Sequence, residues 1–274
     1  MNAIVDMYAE LPRPIRRPLW QLWHKVMIRY DSDIKANFMN YGYQGLNGEP
    51  FLKLRQEDEN DRYCIQLYDH VANRVDLSGR DVLEVGSGRG GGASYLSRYH
   101  HPRSYTGLDI SGNIIDFCNS YYDVEGLSFK KGFAEKLPFD PESFDSVVNV
   151  ESARCYSSLK TFFQQVYRVL RKDGHFLFAD MIRPREFEKM KRTLQECGFK
   201  ILHETEITPN VVEALDRDDR RRRTLIRKKV PGFLVKSFDT FAGTKGSARY
   251  KAFTNRTYVY WSFVLGKEDG PWLN

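Results

Sequence analysis

The sequence predicts an α/β fold built on a mostly parallel β-sheet, and three observations support this class. Short apolar runs alternate with helical patterns between residues 80 and 185. The first of these runs ends in a glycine-rich turn, and the second ends in an acidic residue, Asp109. Strands that alternate with helices form parallel crossover units. We therefore expect the glycine turn and the acid to meet at the carboxyl edge of one sheet.

Four strands are predicted in this central part, over residues 81–85, 104–110, 144–150 and 175–180. A helix over 159–170 precedes the fourth strand and is terminated by the turn residues at 172–174. A further helix over 186–197 leads to a strand at 200–204. The last strand is predicted at 257–265, where apolar and polar residues alternate and aromatic residues are frequent.

The N-terminal part of the chain, up to about residue 75, has a different, helical character. Five apolar residues recur at helical spacing between positions 19 and 30, and the basic residues of this stretch largely fall elsewhere. Two interpretations are open: a cap helix that packs on the core, or a helix that lies on an anionic membrane surface.

About fifty residues, 207–256, separate the last two strands, which is too long for an ordinary connection. We expect a functional insertion that acts as a lid or a wall for substrate. Its basic run, 216–229, favours a solvated helix with internal ion pairs. Docking to an acidic carrier protein or to an anionic membrane stays open, while nucleic acid is disfavoured because no recognised binding module accompanies the run.

Composition bounds the class of protein. The chain has 274 residues, of which 41% are hydrophobic, and a net charge of +6. This is enough for a sizeable core, and no apolar run approaches the roughly 20 residues of a membrane-spanning helix. The N-terminus does not have the pattern of a secretory signal.

The four cysteines are widely spaced, so we expect reduced thiols in the cytoplasm, with no metal site. Association with a membrane surface stays open.

The glycine turn lies within residues 83–96 and satisfies two patterns at once. Gly86, Gly88 and Gly91 fit the dinucleotide pattern GxGxxG, while Glu84, Gly86, Gly88 and Gly90 fit ExGxGxG. In either case the glycines let the backbone approach a ligand, and the free amides at the following helix start favour a negative group. Asp109, 23 residues after Gly86, could accept hydrogen bonds from the ribose of an adenosine.

The chain continues with a G-x-A-E-x-L-P-F stretch at 132–139 and an S-F-D-x-V stretch at 143–147. In this order the motifs resemble those of the class I S-adenosylmethionine-dependent methyltransferases over residues 75–185. Residues 90–96, 105–109, 149–151, 155–156 and 178–180 are similar to phthiotriol/phenolphthiotriol dimycocerosate-type O-methyltransferases of polyketide and lipid pathways. The resemblance implies S-adenosyl-L-methionine as the cofactor.

The resemblance also implies an architecture. It is a Rossmann-like, seven-stranded, mostly parallel sheet in which the last strand, 257–265, runs antiparallel. We expect a helical cap or lid over 1–75, a cofactor-binding core over 76–206, a substrate-lid insertion over 207–256, and the final strand and tail over 257–274.

Cofactor-binding roles follow from the resemblance. Gly86, Ser87 and Gly88 would line the methionine part, and Glu84 would order the loop or hold the ammonium group through water. Asp109 would hold the ribose, Ile110 would pack on the adenine, and the Ala134 backbone would meet the adenine edge. Asn149 would lie near the methionine end. Tyr41 or Tyr43, in a lid-like segment, would close over the cofactor and exclude water.

Two positions depart from the family pattern. Phe133 stands where an adenine-binding Asp is usual, so it could stack instead, or Glu135 could compensate. Arg154 occupies the position of the usual catalytic His and cannot act as a base. Asp180 and Glu151 are therefore the candidate bases, and Arg154 could pair with one of them or hold an acidic substrate group. His70 and His203 favour structural roles.

The sequence therefore predicts an O-methyltransferase that acts on a hydroxyl of a hydrophobic, polyketide- or lipid-like natural product. A C-methyltransferase of the quinone or sterol type is the nearest alternative. A cofactor-binding partner protein without catalysis and, on the arginine run alone, an RNA methyltransferase are the others. A carrier protein or a second copy of the chain is left open as a partner.

Overall fold

A computed structural model describes residues 37–46, 48 and 52–267. Its strands are β1 (Asp81–Val85), β2 (Ser104–Asp109), β3 (Leu127–Lys131), β4 (Phe144–Val150), β5 (Leu170–Ile182), β6 (Phe199–Glu206) and β7 (Val259–Lys267). The α-helices of these residues are α1 (Arg62–Ala72), α2 (Gly91–His100), α3 (Gly112–Tyr121), α4 (Leu159–Val169), α5 (Pro184–Glu196), α6 (Thr208–Lys229), α7 (Gly232–Ala242) and α8 (Ala248–Thr254). A 3₁₀ helix, Gln56–Asp61, precedes α1.

The seven strands form one sheet in the order β3-β2-β1-β4-β5-β7-β6. β7 is antiparallel to both of its neighbours, and the β1, β2, β3, β4 and β5 pairings are parallel. The predicted mostly parallel sheet with an antiparallel last strand is therefore confirmed. The parallel order places the ends of β1, β2 and β4 side by side, where the strand order changes direction and ligands bind in such sheets.

The two faces of the sheet are covered by separate apolar clusters. One contains Ile65 and Leu67 of α1 together with Tyr260 of β7. The other is rich in phenylalanines, and Phe162, Phe163 and Phe176 lie within it at zero exposure. Part of the aromatic content seen in the sequence is thus buried in this second cluster.

Several details differ from the sequence prediction, among them the last strand, which is Val259–Lys267 rather than 257–265. β3 was not predicted, because only Phe129 of its five residues is fully buried and the strand carries no long apolar run. β5 begins at Leu170, five residues early, since Leu170 pairs with Phe144 before a bulge that separates it from the main register at His175. The second predicted strand ends at Asp109 rather than 110.

The connection between β6 and β7 contains α6, α7 and α8. The basic run lies on α6 and forms the expected ion pairs, such as Arg217 with Glu213 at 2.7 Å. The helix is not simply solvated, however, because Asp218 and Arg222 are buried as a pair with an N···O distance of 2.8 Å.

Arg222 also joins three segments of the chain. Its guanidinium donates hydrogen bonds to the carbonyl oxygens of Asn40, Tyr41 and Ala242, at 3.2, 3.1 and 2.9 Å. The segment 37–46 is therefore fastened to α6 and to the end of α7. The amphipathic pattern at 19–30, with both of its interpretations, lies outside the described residues. No helix of the described residues is long and apolar enough to cross a bilayer.

Candidate active site

A cavity of about 710 Å³ opens at the carboxyl ends of β1, β2 and β4. This volume is in the range of sites that hold a small molecule and its cofactor. Eight of the residues that the sequence singled out line its wall: Gly86, Ser87, Gly88, Asp109, Ile110, Ala134, Glu151 and Arg154. Phe133 and Glu135 line it as well. Residues 37–40 cover one side.

The glycine turn between β1 and α2 has a backbone that only glycine adopts easily. Gly86 has φ +79°, and a Cβ there would lie 2.3 Å from the Ser152 Oγ. The amides of Gly86 and Ser87 both donate to the Leu108 carbonyl, at 2.7 and 3.0 Å. The turn is thus held against the end of β2, and Gly86 is required both for its φ and for its close approach to Ser152.

Asp109 ends β2 and is held by the backbone. Its Oδ2 accepts from the Gly88 amide at 3.1 Å, and its Oδ1 accepts from the Ser111 amide at 2.9 Å. Burial raises the pKa of Asp109, and these amides oppose that rise. Each carboxylate oxygen has further acceptor capacity, so the group can take two more hydrogen bonds from a diol in the cavity.

Several buried polar atoms of the cavity wall have no hydrogen-bond partner among the described residues. They include Asn37 Oδ1, Asn40 Oδ1 and Ser87 Oγ. Buried polar groups are almost always satisfied in a folded protein, so these atoms indicate a polar ligand. Together with Asp109, they fit the amino-acid and ribose groups of an adenosyl cofactor.

Glu151 follows β4 directly and projects into the cavity. Its Oε1 accepts from the Tyr41 amide at 2.8 Å and from the Tyr260 hydroxyl at 2.9 Å. Its Oε2 has no hydrogen-bond partner in the described part of the chain. Burial raises the pKa of Glu151 to about 7, although Arg154 acts to lower it. The residue has φ +56°, a strained conformation that is frequent at functional sites.

Arg154 lies between two carboxylates. Its Nη1 donates to Asp180 Oδ1 at 3.0 Å, and its Nη2 lies 3.8 Å from Glu151 Oε2. Burial by itself would lower the pKa of Arg154, but the Asp180 and Glu151 carboxylates outweigh it and raise the pKa further. The cluster of Glu151, Arg154 and Asp180 therefore carries one net negative charge when Glu151 is ionised.

Five predicted site residues lie outside the cavity wall, among them Tyr41, which is buried with its ring centroid 5.2 Å from that of Phe253. Asp180 is one of them. Its oxygens accept hydrogen bonds from the Arg154 side chain, from the Arg154 amide at 3.1 Å and from the Met181 amide at 2.8 Å. Tyr43 is another, since it is buried and stacks on His70 with ring centroids 4.3 Å apart. The cover over the cavity comes from 37–40 instead.

Glu84 and Asn149 are the other two, and both form hydrogen bonds with residues that line the cavity. Glu84 is fully buried and accepts from the Tyr68 and Tyr105 hydroxyls at 2.8 and 3.1 Å. Burial raises the pKa of Glu84 to about 7. Asn149 donates to the Val85 carbonyl and to Ser152 Oγ, each at 2.7 Å. Each therefore positions a residue that does line the cavity.

Many cavity residues were not predicted, and three of them are informative. Tyr68 comes from α1 and Phe241 from α7, both far in sequence from the glycine turn. Arg89 lies inside the turn itself, at a position that neither glycine pattern specifies. Phe133, which the sequence left open, lines the cavity with 45% of its surface exposed, while Glu135 Oε1 accepts from the Ser157 amide at 2.7 Å.

The strand order, the antiparallel β7 and a ligand cavity at the glycine turn define the fold of the class I methyltransferases. A family model described as a methyltransferase domain matches residues 83–178. Phthiotriol/phenolphthiotriol dimycocerosates methyltransferase from Mycobacterium tuberculosis is 37% identical over 249 residues, which cover 90% of this chain and 92% of that protein. The chain belongs to this family of S-adenosyl-L-methionine-dependent methyltransferases, and S-adenosyl-L-methionine is its cofactor.

Two other comparisons bear on the chain. Fatty-acid O-methyltransferase from Mycolicibacterium smegmatis is 36% identical over 239 residues, covering 85% of this chain and 86% of that protein. Among solved structures, the [4+2]-cyclase SpnF superposes with a TM-score of 0.71 at 16% identity, covering 95% of this chain and 98% of that one. The last likeness concerns the fold alone, and it shows that the fold by itself does not fix the reaction.

Proposed function

We propose that this protein transfers a methyl group from S-adenosyl-L-methionine to a hydroxyl of a hydrophobic, polyketide- or lipid-like molecule. The observation that carries the proposal is Glu151, a buried carboxylate in the cavity wall with one oxygen held and the other without a hydrogen-bond partner among the described residues. An aliphatic hydroxyl needs a base, and a pKa of about 7 suits a base that works near neutral pH.

The cofactor is assigned to the glycine-turn end of the cavity. Gly86, Ser87 and Gly88 would line its amino-acid part, and Asp109 would accept from its ribose hydroxyls. Ile110 and Ala134 would flank the adenine, with Phe133 on the same wall. When bound, the cofactor supplies an activated methyl group. The protein's own task is then to align the acceptor, exclude water and remove one proton.

Glu151 is proposed as the group that takes this proton, at its Oε2. The Tyr41 amide and the Tyr260 hydroxyl fix Oε1, so the carboxylate keeps one orientation. Asp180 is better suited to hold Arg154 than to act as the base, because its oxygens already accept three hydrogen bonds. Arg154 in turn would stabilise the ionised form of Glu151, whose pKa it lowers.

The charge of this cluster favours a neutral acceptor over a carboxylate. Arg154 is already paired with Asp180 and lies near Glu151, which leaves one net negative charge beside the proposed acceptor site. A fatty-acid carboxylate placed there would be repelled, and it would need no base. A hydroxyl is neutral and gains from the base. The relatives' names include both a phthiotriol enzyme and a fatty-acid enzyme, so the distinction is informative.

Residues 37–40 and the helices α6 to α8 are proposed to cover and wall the acceptor. Phe241 of α7 already contributes an apolar side chain to the cavity. A long, apolar acceptor would extend along this wall toward the surface.

The test offers the purified protein and S-adenosyl-L-methionine two matched acceptors, a long-chain secondary alcohol and the fatty acid of equal chain length. Products are identified by mass spectrometry, and S-adenosylhomocysteine is quantified. We expect a methyl ether from the alcohol, and little methyl ester. Ester as the main product, a new C–methyl bond, or no turnover with any hydrophobic hydroxyl would overturn the proposal.

A further inference from the structure

The corner between α6 and α7 exposes an aromatic side chain among basic ones. Phe233 has 82% of its surface exposed, far more than any other large hydrophobic residue of the described chain. Its neighbours on the inner side of the corner, Ile226, Val230 and Phe238, are buried against one another. Phe233 is therefore not part of this buried cluster of the described residues.

The charge around Phe233 is of one sign. Residues 226–237 contain four basic residues, Arg227, Lys228, Lys229 and Lys236, and no acidic residue. Arg227, Lys228 and Lys236 are exposed and form no ion pair within the described residues. Lys236 is one helical turn from Phe233, so the two share a face of α7. Elsewhere on α6, four arginines are each paired with an acid: Arg217, Arg221, Arg222 and Arg223.

The corner is linked to the cavity by a single helix. Phe233 stands in the first turn of α7, and Phe241, eight residues later, lines the cavity. Eight residues of helix span about 12 Å. A molecule that leaves a surface touching Phe233 would thus reach the cavity by following one face of α7.

We infer that this corner, Arg227, Lys228, Phe233 and Lys236, docks the protein on an anionic lipid surface, where it collects its acceptor. The inference rests on the lipid-like acceptor of the proposed function. A lone protruding aromatic residue flanked by lysine and arginine suits insertion between headgroups, with the cations at the anionic surface. A lipid surface is favoured over an acidic carrier protein because an exposed ring can enter the headgroup–acyl boundary without a shaped partner surface.

The experiment uses sedimentation with vesicles of phosphatidylcholine alone, and with vesicles of equal parts phosphatidylcholine and phosphatidylglycerol. We expect the full-length protein to bind the mixed vesicles and to be released by salt. Phe233→Ser should weaken binding about tenfold, because it removes the inserted ring. Lys236→Gln should weaken it about fivefold.

Leu202→Ser and Arg220→Gln are the matched controls. Leu202 is half exposed on the edge strand β6, and Arg220 is exposed on α6 outside the corner. Neither should change vesicle binding by more than a small factor. Equal binding to both vesicle types, or Phe233→Ser binding as well as the wild type, would refute the docking surface. Loss of binding to an isolated acyl carrier protein on Phe233→Ser, without vesicle binding, would assign the corner to a protein instead.

A second readout separates this inference from the reaction. With a water-soluble, short-chain alcohol, Phe233→Ser and Lys236→Gln should turn over like the wild type, while both should slow with an acceptor dissolved in the mixed vesicles. If no alcohol is methylated by any variant but vesicle binding still depends on Phe233, the proposed reaction fails and the docking surface stands.

Discussion

Replacing Glu151 by Gln tests the proposed base directly. Gln keeps the shape and can still accept from Tyr41 and Tyr260, but it cannot take a proton. General bases contribute about 10²–10⁴-fold to rate, so kcat should fall by that factor, while the cofactor affinity measured by calorimetry stays within a few-fold. The fall corresponds to about 3–5 kcal/mol of transition-state stabilisation.

The pH profile sharpens this test. With a pKa of about 7, the base of the wild type is ionised above that pH and protonated below it. The rate should therefore fall about tenfold per pH unit below pH 7. Glu151→Gln should lose this acid limb. Asp180→Asn should keep it but shift it to lower pH, because Asp180 raises the pKa of Glu151 and a released Arg154 would lower it further.

The pH dependence of stability independently tests the direction of the Glu151 pKa shift. The folded-state pKa of Glu151 lies above its ordinary value of 4.5, so its contribution is favourable below pH 4.5 and is lost as the pH rises through 7. The contribution of Glu151 to the free energy of unfolding differs by about 3 kcal/mol between these two pH ranges. Glu151→Gln should thus melt several degrees above the wild type at pH 8, and near it at pH 5. A Glu151→Gln variant that keeps the acid limb, with a kcat within threefold of the wild type, would refute Glu151 as the base. An Asp180→Asn variant that loses the acid limb would refute it as well.

The remaining predictions concern the cofactor end and the buried arginine. Asp109→Asn should weaken S-adenosyl-L-methionine binding about 10–100-fold in calorimetry, since hydrogen bonds to a charged group are lost; unchanged affinity would exclude a ribose contact. Gly86→Ala should abolish cofactor binding because its Cβ meets Ser152, whereas Gly48→Ala, with the same φ sign and open space, should bind normally. Arg222→Met should lower the free energy of unfolding by about 3–5 kcal/mol in denaturant titrations, against little change for exposed Arg220→Met.

The cofactor end could be predicted from sequence because its parts are local. The glycine turn and Asp109 each adjoin a strand end, and neighbouring parallel strands bring those ends together without any further information. The family's motifs lie in the same stretch, so resemblance and spacing agreed there.

The acceptor end could not be predicted to the same depth. Whether Glu151 or Asp180 faces the cavity depends on the turn after β4, and both are acids near the carboxyl ends of central strands. The groups that hold Glu151, Tyr41 and Tyr260, lie 110 and 109 residues away in sequence. Arg222 was read as part of a solvated run because arginine is rarely buried, and only its contacts to distant carbonyls reveal otherwise.

The segment 37–46 is joined by hydrogen bonds to α6, the first helix between β6 and β7. Gln44 and Asn210 exchange two hydrogen bonds, of 3.1 and 2.9 Å, and the Arg222 guanidinium of α6 donates to the Asn40 carbonyl of the segment. A chimera that takes α6 to α8 from a relative with another acceptor would therefore lose hydrogen bonds between these helices and segment 37–46. Acceptor preference in this family should be transplanted, and should have diversified, with the two segments as one exchange unit.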